Sequence, residues 1–165
     1  MNLKREEPKE GQESVWDYPR PPRIEPTNKK IRIEYNKKTI CESDRALRVL
    51  ETSHPPVYYI PPEDFSSNVL QSSDANQSFC EWKGTAKYFD IVVDNKKSRH
   101  AAWSYPEPAP DMAAIKNMIA VYAHKVDACY VNDEKATPQE GGFYGGWITS
   151  DLAGPFKGGP GSMGW

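Results

Sequence analysis

Cysteine is scarce in this chain of 165 residues, which contains only Cys41, Cys80 and Cys129. The three lie far apart, and none belongs to a Cys-x-x-Cys pair. A zinc ribbon or a disulfide-stapled scaffold needs more cysteines at closer spacing, so the sequence argues against both classes. We therefore expect no metal and no cofactor, and we expect the thiols to remain reduced.

Long apolar runs and an excess of one charge are also absent. Apolar residues make up 38% of the chain, charged residues 27%, and the formal net charge is −2. No segment approaches the ~20 apolar residues of a transmembrane helix, and the near-neutral charge gives no reason to expect nucleic acid or an anionic membrane as partner. Residues 1–10 have no hydrophobic signal region, which predicts a cytoplasmic protein.

Proline and glycine are frequent, with 15 and 11 residues, and they gather towards the two ends. Residues 1–28 are predicted to form an extended arm, in which the polyproline-like segment 14–24 either covers its own domain or binds a partner. Residues 137–165 form a tail rich in glycine and spaced aromatics, which could attach the tail to the domain or to a protein partner. The segment between them, 29–136, is long enough to form one core.

Strand signals dominate this central segment. Residues 31–35 alternate between apolar and polar side chains, 36–38 supply a turn, and 39–43 return as the second arm of a hairpin. Further strands are predicted at 57–60 and 99–105, helical turns at 62–65 and 112–116 with strands after the second, and either a helical turn or a strand at 46–51. The pattern favours a mostly β sandwich or barrel-like fold.

The longest apolar and aromatic stretch, residues 79–94, holds Trp82, Lys83, Gly84 and Tyr88. It predicts one long strand, or two strands joined at a kink by Gly84. Glycine within a strand pattern usually marks a bulge or the close approach of backbone or ligand. This stretch is therefore the leading candidate for a functional site.

Four motifs, in order, resemble the family called domain of unknown function 427. They are residues 13–23 (ESVWDYPRPPR), 50–64 (LETSHPPVYYIPPED), 80–88 (CEWKGTAKY) and 101–108 (AAWSYPEP). The resemblance runs from about Glu13 to Glu134. It implies two antiparallel sheets meeting in a β-tent-like sandwich, related in shape to zinc-bearing Yippee and cereblon-type domains. The zinc is not carried over, because this chain lacks their cysteine pairs.

The family also carries a nucleotidyltransferase-like label. A catalytic magnesium site of that kind needs Gly-Ser followed by paired acidic residues, and the sequence has no such pattern. The resemblance therefore predicts the fold more firmly than the activity.

Five aromatic residues are predicted to line one cavity where the two sheets meet: Tyr59, Trp82, Tyr88, Trp103 and Tyr105. Rings of this kind bind flat or cationic ligands by stacking. The alternative is that they are ordinary core residues. Mutation of Trp103 to alanine separates the two interpretations, because a core ring would cost stability and a pocket ring would cost ligand binding.

Polar residues near this set suggest chemistry. Lys83 beside Gly84 could hold a carboxylate or phosphate, or could pair with Glu51 or Asp64. Glu51 and Asp64 could instead form a general acid-base pair. Cys80 could be a nucleophile with His54 or His100 as its base, although a small buried strand cysteine is the simpler interpretation.

The sequence thus predicts a small-molecule or anion-binding or interaction module with an aromatic pocket. Two alternatives remain open at this point. The same pocket could belong to a hydrolase or a nucleotidyl or group transferase, or the arm and tail could dock a structural protein onto a larger assembly.

Overall fold

Strands are the main regular structure in the computed structural model, which describes residues 4–73, 78–80 (main chain only) and 83–165. The strands are β1 Glu13–Ser14, β2 Arg23–Pro26, β3 Ile31–Tyr35, β4 Lys38–Ser43, β5 Leu47–Leu50, β6 Val57–Tyr59, β7 Leu70–Ser72, β8 Ser78–Cys80, β9 Gly84–Val93, β10 Lys96–Ser104, β11 Ala120–Val121, β12 Ala128–Val131, β13 Glu134–Lys135, β14 Thr137–Pro138, β15 Trp147–Ile148 and β16 Leu152–Ala153.

Helical structure in these residues consists of short 3₁₀ turns. They span Val15–Asp17, Pro62–Asp64, Pro110–Ile115 and Ala123–Lys125. The predicted mostly β fold with little helix is confirmed. Within the described ranges, no helix has the length and apolar character needed to cross a bilayer.

Two antiparallel sheets enclose the main core. One has the order β11-β10-β9-β7, with β8 also paired to β9, and the other has the order β13-β12-β3-β4. A third antiparallel sheet, β2-β5-β6, lies beside them. The main core holds Ile33, Ile60 and Ile91, each fully buried. Packing of antiparallel sheets around this core agrees with the predicted sandwich.

The β3–β4 hairpin follows directly from its residues. Ile31, Ile33 and Tyr35 are buried and alternate with half-exposed residues, as a strand with one face on the core requires. Asn36 and Lys37, the two residues between the paired ends of the strands, both have positive φ (52° and 65°). Positive φ at both turn residues is typical of a two-residue type I′ hairpin turn.

Residues 79–94 differ from the prediction of one long or kinked strand. β8 folds back antiparallel on β9, with Cys80 opposite Gly84, so the stretch forms a hairpin. Gly84 has φ +107°, and a Cβ atom there would lie 2.9 Å from the Glu107 carbonyl oxygen. The glycine is required because the backbone approaches closely at a conformation that other residues rarely adopt.

Both ends of the chain pack on the central domain. β2 pairs with β5, and β1 pairs in parallel with β16 from the tail. Arg48 on β5 is buried and lies 3.4 Å from Glu13 and 2.5 Å from Glu25, two carboxylates of the arm. Because a buried guanidinium needs charge partners, these contacts hold the arm in place.

The strand β6 divides two clusters of buried residues. Its successive side chains point to opposite faces, so Tyr58 joins the main core while Tyr59 joins a second cluster with Trp103 and Tyr105. The second cluster lies between the β2-β5-β6 sheet and strand β10. This alternation places aromatic side chains where a cavity opens.

Candidate functional site

A cavity of about 360 Å³ opens beside this second cluster. Its walls come from β5, β6, β9, β10 and the tail segment around residues 139–145. The lining residues are Val49, Glu51, His54, Pro55, Val57, Tyr59, Lys83, Tyr88, Trp103, Tyr105, Tyr122, Gln139, Phe143, Tyr144, Gly145 and Lys157. The volume is at the small end of the range for ligand pockets.

Six of the residues that the sequence singled out lie together in this cavity. They are Glu51, Tyr59, Lys83, Tyr88, Trp103 and Tyr105. Gly84 adjoins Lys83 at the beginning of β9 and shapes the turn rather than the wall. Trp82 lies outside the described residues.

Asp64 lies elsewhere. Its carboxylate is 2.8 Å from Arg45 and accepts a hydrogen bond from Ser43 at 2.7 Å, beside a different cavity of about 380 Å³. Hydrogen bonding to Arg45 lowers the pKa of Asp64 even though partial burial opposes that shift. Asp64 is therefore a paired structural carboxylate, and it is not brought together with Glu51 or Lys83.

Trp103 is the centre of the aromatic wall. Its Nε1 donates to the Tyr59 hydroxyl at 3.3 Å, and its ring centroid lies 4.4 Å from that of Tyr122. Trp103 also sits opposite Tyr88 in the β9–β10 pairing. With 7% of its surface exposed, it belongs to the core and lines the cavity as well.

A bulge in β10 sets this register. The pairing with β9 shifts between Ser98 and Ala102, where His100 has φ 53° and its amide donates to the Asp90 carboxylate at 2.9 Å. The extra residues bring Trp103 opposite Tyr88. Bulges often redirect side chains next to functional sites in this way.

Tyr122 supplies a neutral hydroxyl at the cavity. Burial raises the pKa of Tyr122 to about 12, and its interaction with Tyr88 adds to the increase. The hydroxyl donates to the Phe143 carbonyl at 3.3 Å. The tyrosine thus connects the β10 wall to the tail.

The environment of His54 favours its neutral form and defines its tautomer. Its Nδ1 lies 2.9 Å from the Thr52 carbonyl, which can only accept, so Nδ1 carries the proton. Burial lowers the pKa of His54, and the charges of Lys157 and Arg20 add to this effect although Glu51 opposes it. The lone pair on Nε2 can therefore accept a hydrogen bond or a proton.

The tail residues 139–146 form an anchored loop over the cavity. The Gln139 side chain donates to the Lys157 carbonyl at 2.7 Å and accepts from the Gly146 amide at 3.1 Å. Tyr144 packs edge-on against His54, with ring centroids 5.6 Å apart. Phe143 is 70% exposed at the cavity mouth. The loop is therefore anchored at one end through Gln139 and exposes an aromatic side chain, Phe143, at its tip.

Sequence reasoning missed the tail's contribution to this cavity, and it considered His54 only as a possible base for Cys80. The segment 141–146 reads Gly-Gly-Phe-Tyr-Gly-Gly. Two aromatic residues flanked by pairs of glycine cannot form a core. This pattern could have indicated a loop that exposes its aromatic side chains at the cavity. Nothing in the local sequence distinguishes Lys157 from the other lysines.

Gly145 allows this loop to approach the wall, and Gly145→Ala is expected to displace the Trp103 ring. An added Cβ would lie 2.1 Å from Trp103 Cη2, and overpacking of this kind costs about 1–3 kcal/mol. Urea denaturation followed by tryptophan fluorescence measures the loss. Gly164→Ala, whose Cβ meets nothing within 4 Å, is the control and should leave stability unchanged. Equal stability of the two variants would contradict the expected clash.

The described thiols are not nucleophiles. Cys41 and Cys129 are buried, and burial raises the pKa of each well above its ordinary value. The Cys80 side chain lies outside the described residues, so its reactivity stays a prediction. Within the described ranges, no group of three or more His, Cys, Asp and Glu residues is arranged to hold a metal ion.

Comparison with known proteins gives one family. The model described as a domain of unknown function (DUF427) matches residues 23–132, about two thirds of the chain. No curated protein matches. The matched range extends from β2 to the end of β12 and is narrower than the expected 13–134. The tail residues of the cavity, from Gln139 to Lys157, lie beyond it. With this match over most of its length, the chain belongs to the family described as domain of unknown function DUF427.

Proposed function

We propose that this protein binds a small planar anion in the cavity of about 360 Å³. One observation carries the proposal: the cavity combines a wall of aromatic rings with two lysines, Lys83 and Lys157. The Lys157 ammonium donates to an oxygen of Trp165 at 3.1 Å. Among the described residues, the carboxylate of Glu51, which also lines the cavity, pairs with Arg20 and lies near His54.

The aromatic wall favours a flat ligand. Trp103, Tyr122 and Tyr88 present ring surface to one small space, and offset or edge-on packing on such rings contributes about 0.5–1.5 kcal/mol per pair. The small volume favours a ligand of one or two rings.

The charges decide between an anion and a cation. Aromatic rings also attract cations, but two lysines would repel one. Glu51 does not reverse this balance, because Arg20 lies 3.7 Å from its carboxylate and offsets its charge. Burial also disfavours a charge on His54, so the two lysines are the groups that favour negative charge in the cavity.

Ligands that share one ring and differ in charge test the proposal. Benzoate is expected to raise the thermal midpoint in a concentration-dependent way, whereas benzyl alcohol and benzylamine should not. Lys83→Gln is expected to weaken benzoate binding about tenfold, since a charged hydrogen bond contributes about 1.5–3 kcal/mol.

Lys87→Gln is the matched control for this experiment. Lys87 is exposed on β9, four residues after Lys83, and lies over the Phe89 ring rather than in the cavity. It should bind benzoate like the unmodified protein. Equal binding of benzylamine and benzoate, or equal effects of the two lysine substitutions, would rule out an anion site at Lys83.

Catalysis in the same cavity remains the alternative, and His54 favours it. A neutral imidazole with a defined tautomer is suited to general base catalysis. Mass spectrometry of any ligand recovered after incubation would reveal a product if the protein is an enzyme.

A further inference from the structure

We infer that the ligand is an aromatic acid with a neutral hydrogen-bond donor on its ring, such as a hydroxyl, and that Nε2 of His54 accepts that hydrogen bond. This inference rests on the anion-binding function proposed above and narrows the class of ligand. It assigns the ligand a second polar contact, on a segment of the chain distant from Lys83.

The turn that carries His54 is held at several points. The Ser53 amide donates to the Val15 carbonyl at 3.0 Å, and the Ser53 carbonyl accepts from the Lys157 amide at 2.8 Å. The His54 amide donates to the Glu51 carbonyl at 3.0 Å. These bonds tie the turn to the arm and to the tail, so the His54 side chain begins at a defined point.

The imidazole ring of His54 is oriented as well. Its Nδ1 donates to the Thr52 carbonyl at 2.9 Å, and its ring packs edge-on against Tyr144 with centroids 5.6 Å apart. Because the two ring nitrogens point in different directions, Nε2 is directed away from that carbonyl. With Nδ1 protonated, Nε2 is an acceptor.

The Nε2 atom is available to a ligand. His54 lines the cavity, and 15% of its side chain is exposed. Among the described residues Nε2 has no hydrogen-bond partner, and it is not one of the polar atoms sealed inside the core.

Other polar groups of the wall are already bonded within the protein. The Gln139 amide uses both its donor and its acceptor, the Trp103 indole donates to a hydroxyl, and the Tyr122 hydroxyl donates to a carbonyl. Nε2 of His54 differs from these groups, because it is an acceptor with no internal bond. A ligand that fills the cavity therefore meets an unpaired acceptor as well as the charge of Lys83.

An unpaired acceptor makes the cavity selective. A ligand without a donor would remove water from Nε2 and replace it with nothing, and leaving a polar group unpaired in this way costs affinity. A hydroxyl supplies the missing donor without adding a positive charge, which the lysines would repel. The burial that lowers the pKa of His54 also keeps Nε2 unprotonated and able to accept.

Calorimetry with benzoate, meta-hydroxybenzoate and para-hydroxybenzoate tests the inference on the unmodified protein. The two isomers place the hydroxyl at two different separations from the carboxylate. The better of them is expected to bind about fivefold tighter than benzoate, which corresponds to a net hydrogen-bond contribution of about 1 kcal/mol. Its methoxy analogue has the same oxygen without the proton and should lose this gain.

Three variants assign the gain to Nε2. His54→Asn has no atom at the position of Nε2, so the ratio of the hydroxybenzoate and benzoate affinities should fall to about one. His54→Gln carries an amide oxygen that can accept there and should retain the preference for the hydroxyl. His124→Asn is the matched control, because His124 is exposed and does not line the cavity, and it should keep the fivefold ratio.

The outcomes separate this inference from the proposed function. Hydroxybenzoates that bind no tighter than benzoate, or an equal gain for the methoxy analogue, would overturn the role of His54 while leaving an anion site, even if His54→Asn fails to fold. An unchanged ratio in His54→Asn, or loss of the preference in His54→Gln or His124→Asn, would do the same. If none of these acids binds the unmodified protein, the anion-binding function itself fails, and the inference with it.

Discussion

Replacement of Trp147 by alanine is expected to lower the free energy of unfolding by about 3–5 kcal/mol, the cost of removing a large ring from a core. Trp147 is 1% exposed and belongs to the main core, although it lies outside the family match. Its ring centroid is 5.0 Å from that of Tyr58, and its Nε1 donates to the Val121 carbonyl at 3.0 Å. The substitution leaves both a cavity and an unpaired carbonyl.

Urea denaturation measures this loss, with Phe143→Ala as the control. Phe143 lies four residues earlier in the same tail but is 70% exposed, so its removal should change stability by less than about 0.5 kcal/mol. A cost below about 1 kcal/mol for Trp147→Ala would mean that the tail is dispensable. That result would imply a domain that folds without residues 137–165.

Trp103→Ala is expected to lose both stability and ligand binding. The ring is 7% exposed in the second cluster, which predicts a cost of about 3–5 kcal/mol, and it also forms the centre of the cavity wall. From the sequence, Trp103 could be either a core residue or a residue of the ligand pocket. The structure makes Trp103 both, because one face packs inwards while the cavity opens beside it.

Trp103→Phe separates the two losses, since it keeps a buried ring but removes Nε1 and part of the stacking surface. We expect this variant to fold and to bind benzoate several-fold more weakly. Trp16→Ala is the matched control: Trp16 is half-buried on the arm, where its Nε1 donates to the Pro155 carbonyl, and it does not line the cavity. Unchanged benzoate affinity in Trp103→Phe, or an equal loss in Trp16→Ala, would contradict a binding role for Trp103.

Local patterns predicted the parts of the fold that depend on neighbouring residues. The β3–β4 hairpin follows from alternation and from two turn residues, and the Pro62–Asp64 turn follows from its proline. The β8–β9 pairing was missed because the sequence between Cys80 and Gly84 contains no Asn-Gly or Asp-Gly signal. Its apolar residues on both sides of Gly84 are also compatible with one continuous strand.

The candidate site depended on contacts between distant residues. Tyr59, Trp103 and Tyr105 could be grouped by residue type, but nothing local separates Glu51, which lines the cavity, from Asp64, which pairs with Arg45. Similarly, Lys157 is placed beside the cavity by a hydrogen bond from its main-chain amide to the Ser53 carbonyl. Contacts over such sequence distances leave no periodic pattern to detect.

The parallel pairing of β1 with β16 has a consequence for biosynthesis. Glu13 lies opposite Leu152, so this pairing encloses nearly the whole described chain in one loop. Closing a loop of that length costs more entropy than forming a hairpin, and contacts of high sequence separation slow folding. Trp147, Leu152 and Lys157 also leave the ribosome after the family segment. A nascent chain can therefore form its central strands well before it has a finished cavity, and ligand binding would report on completed folding.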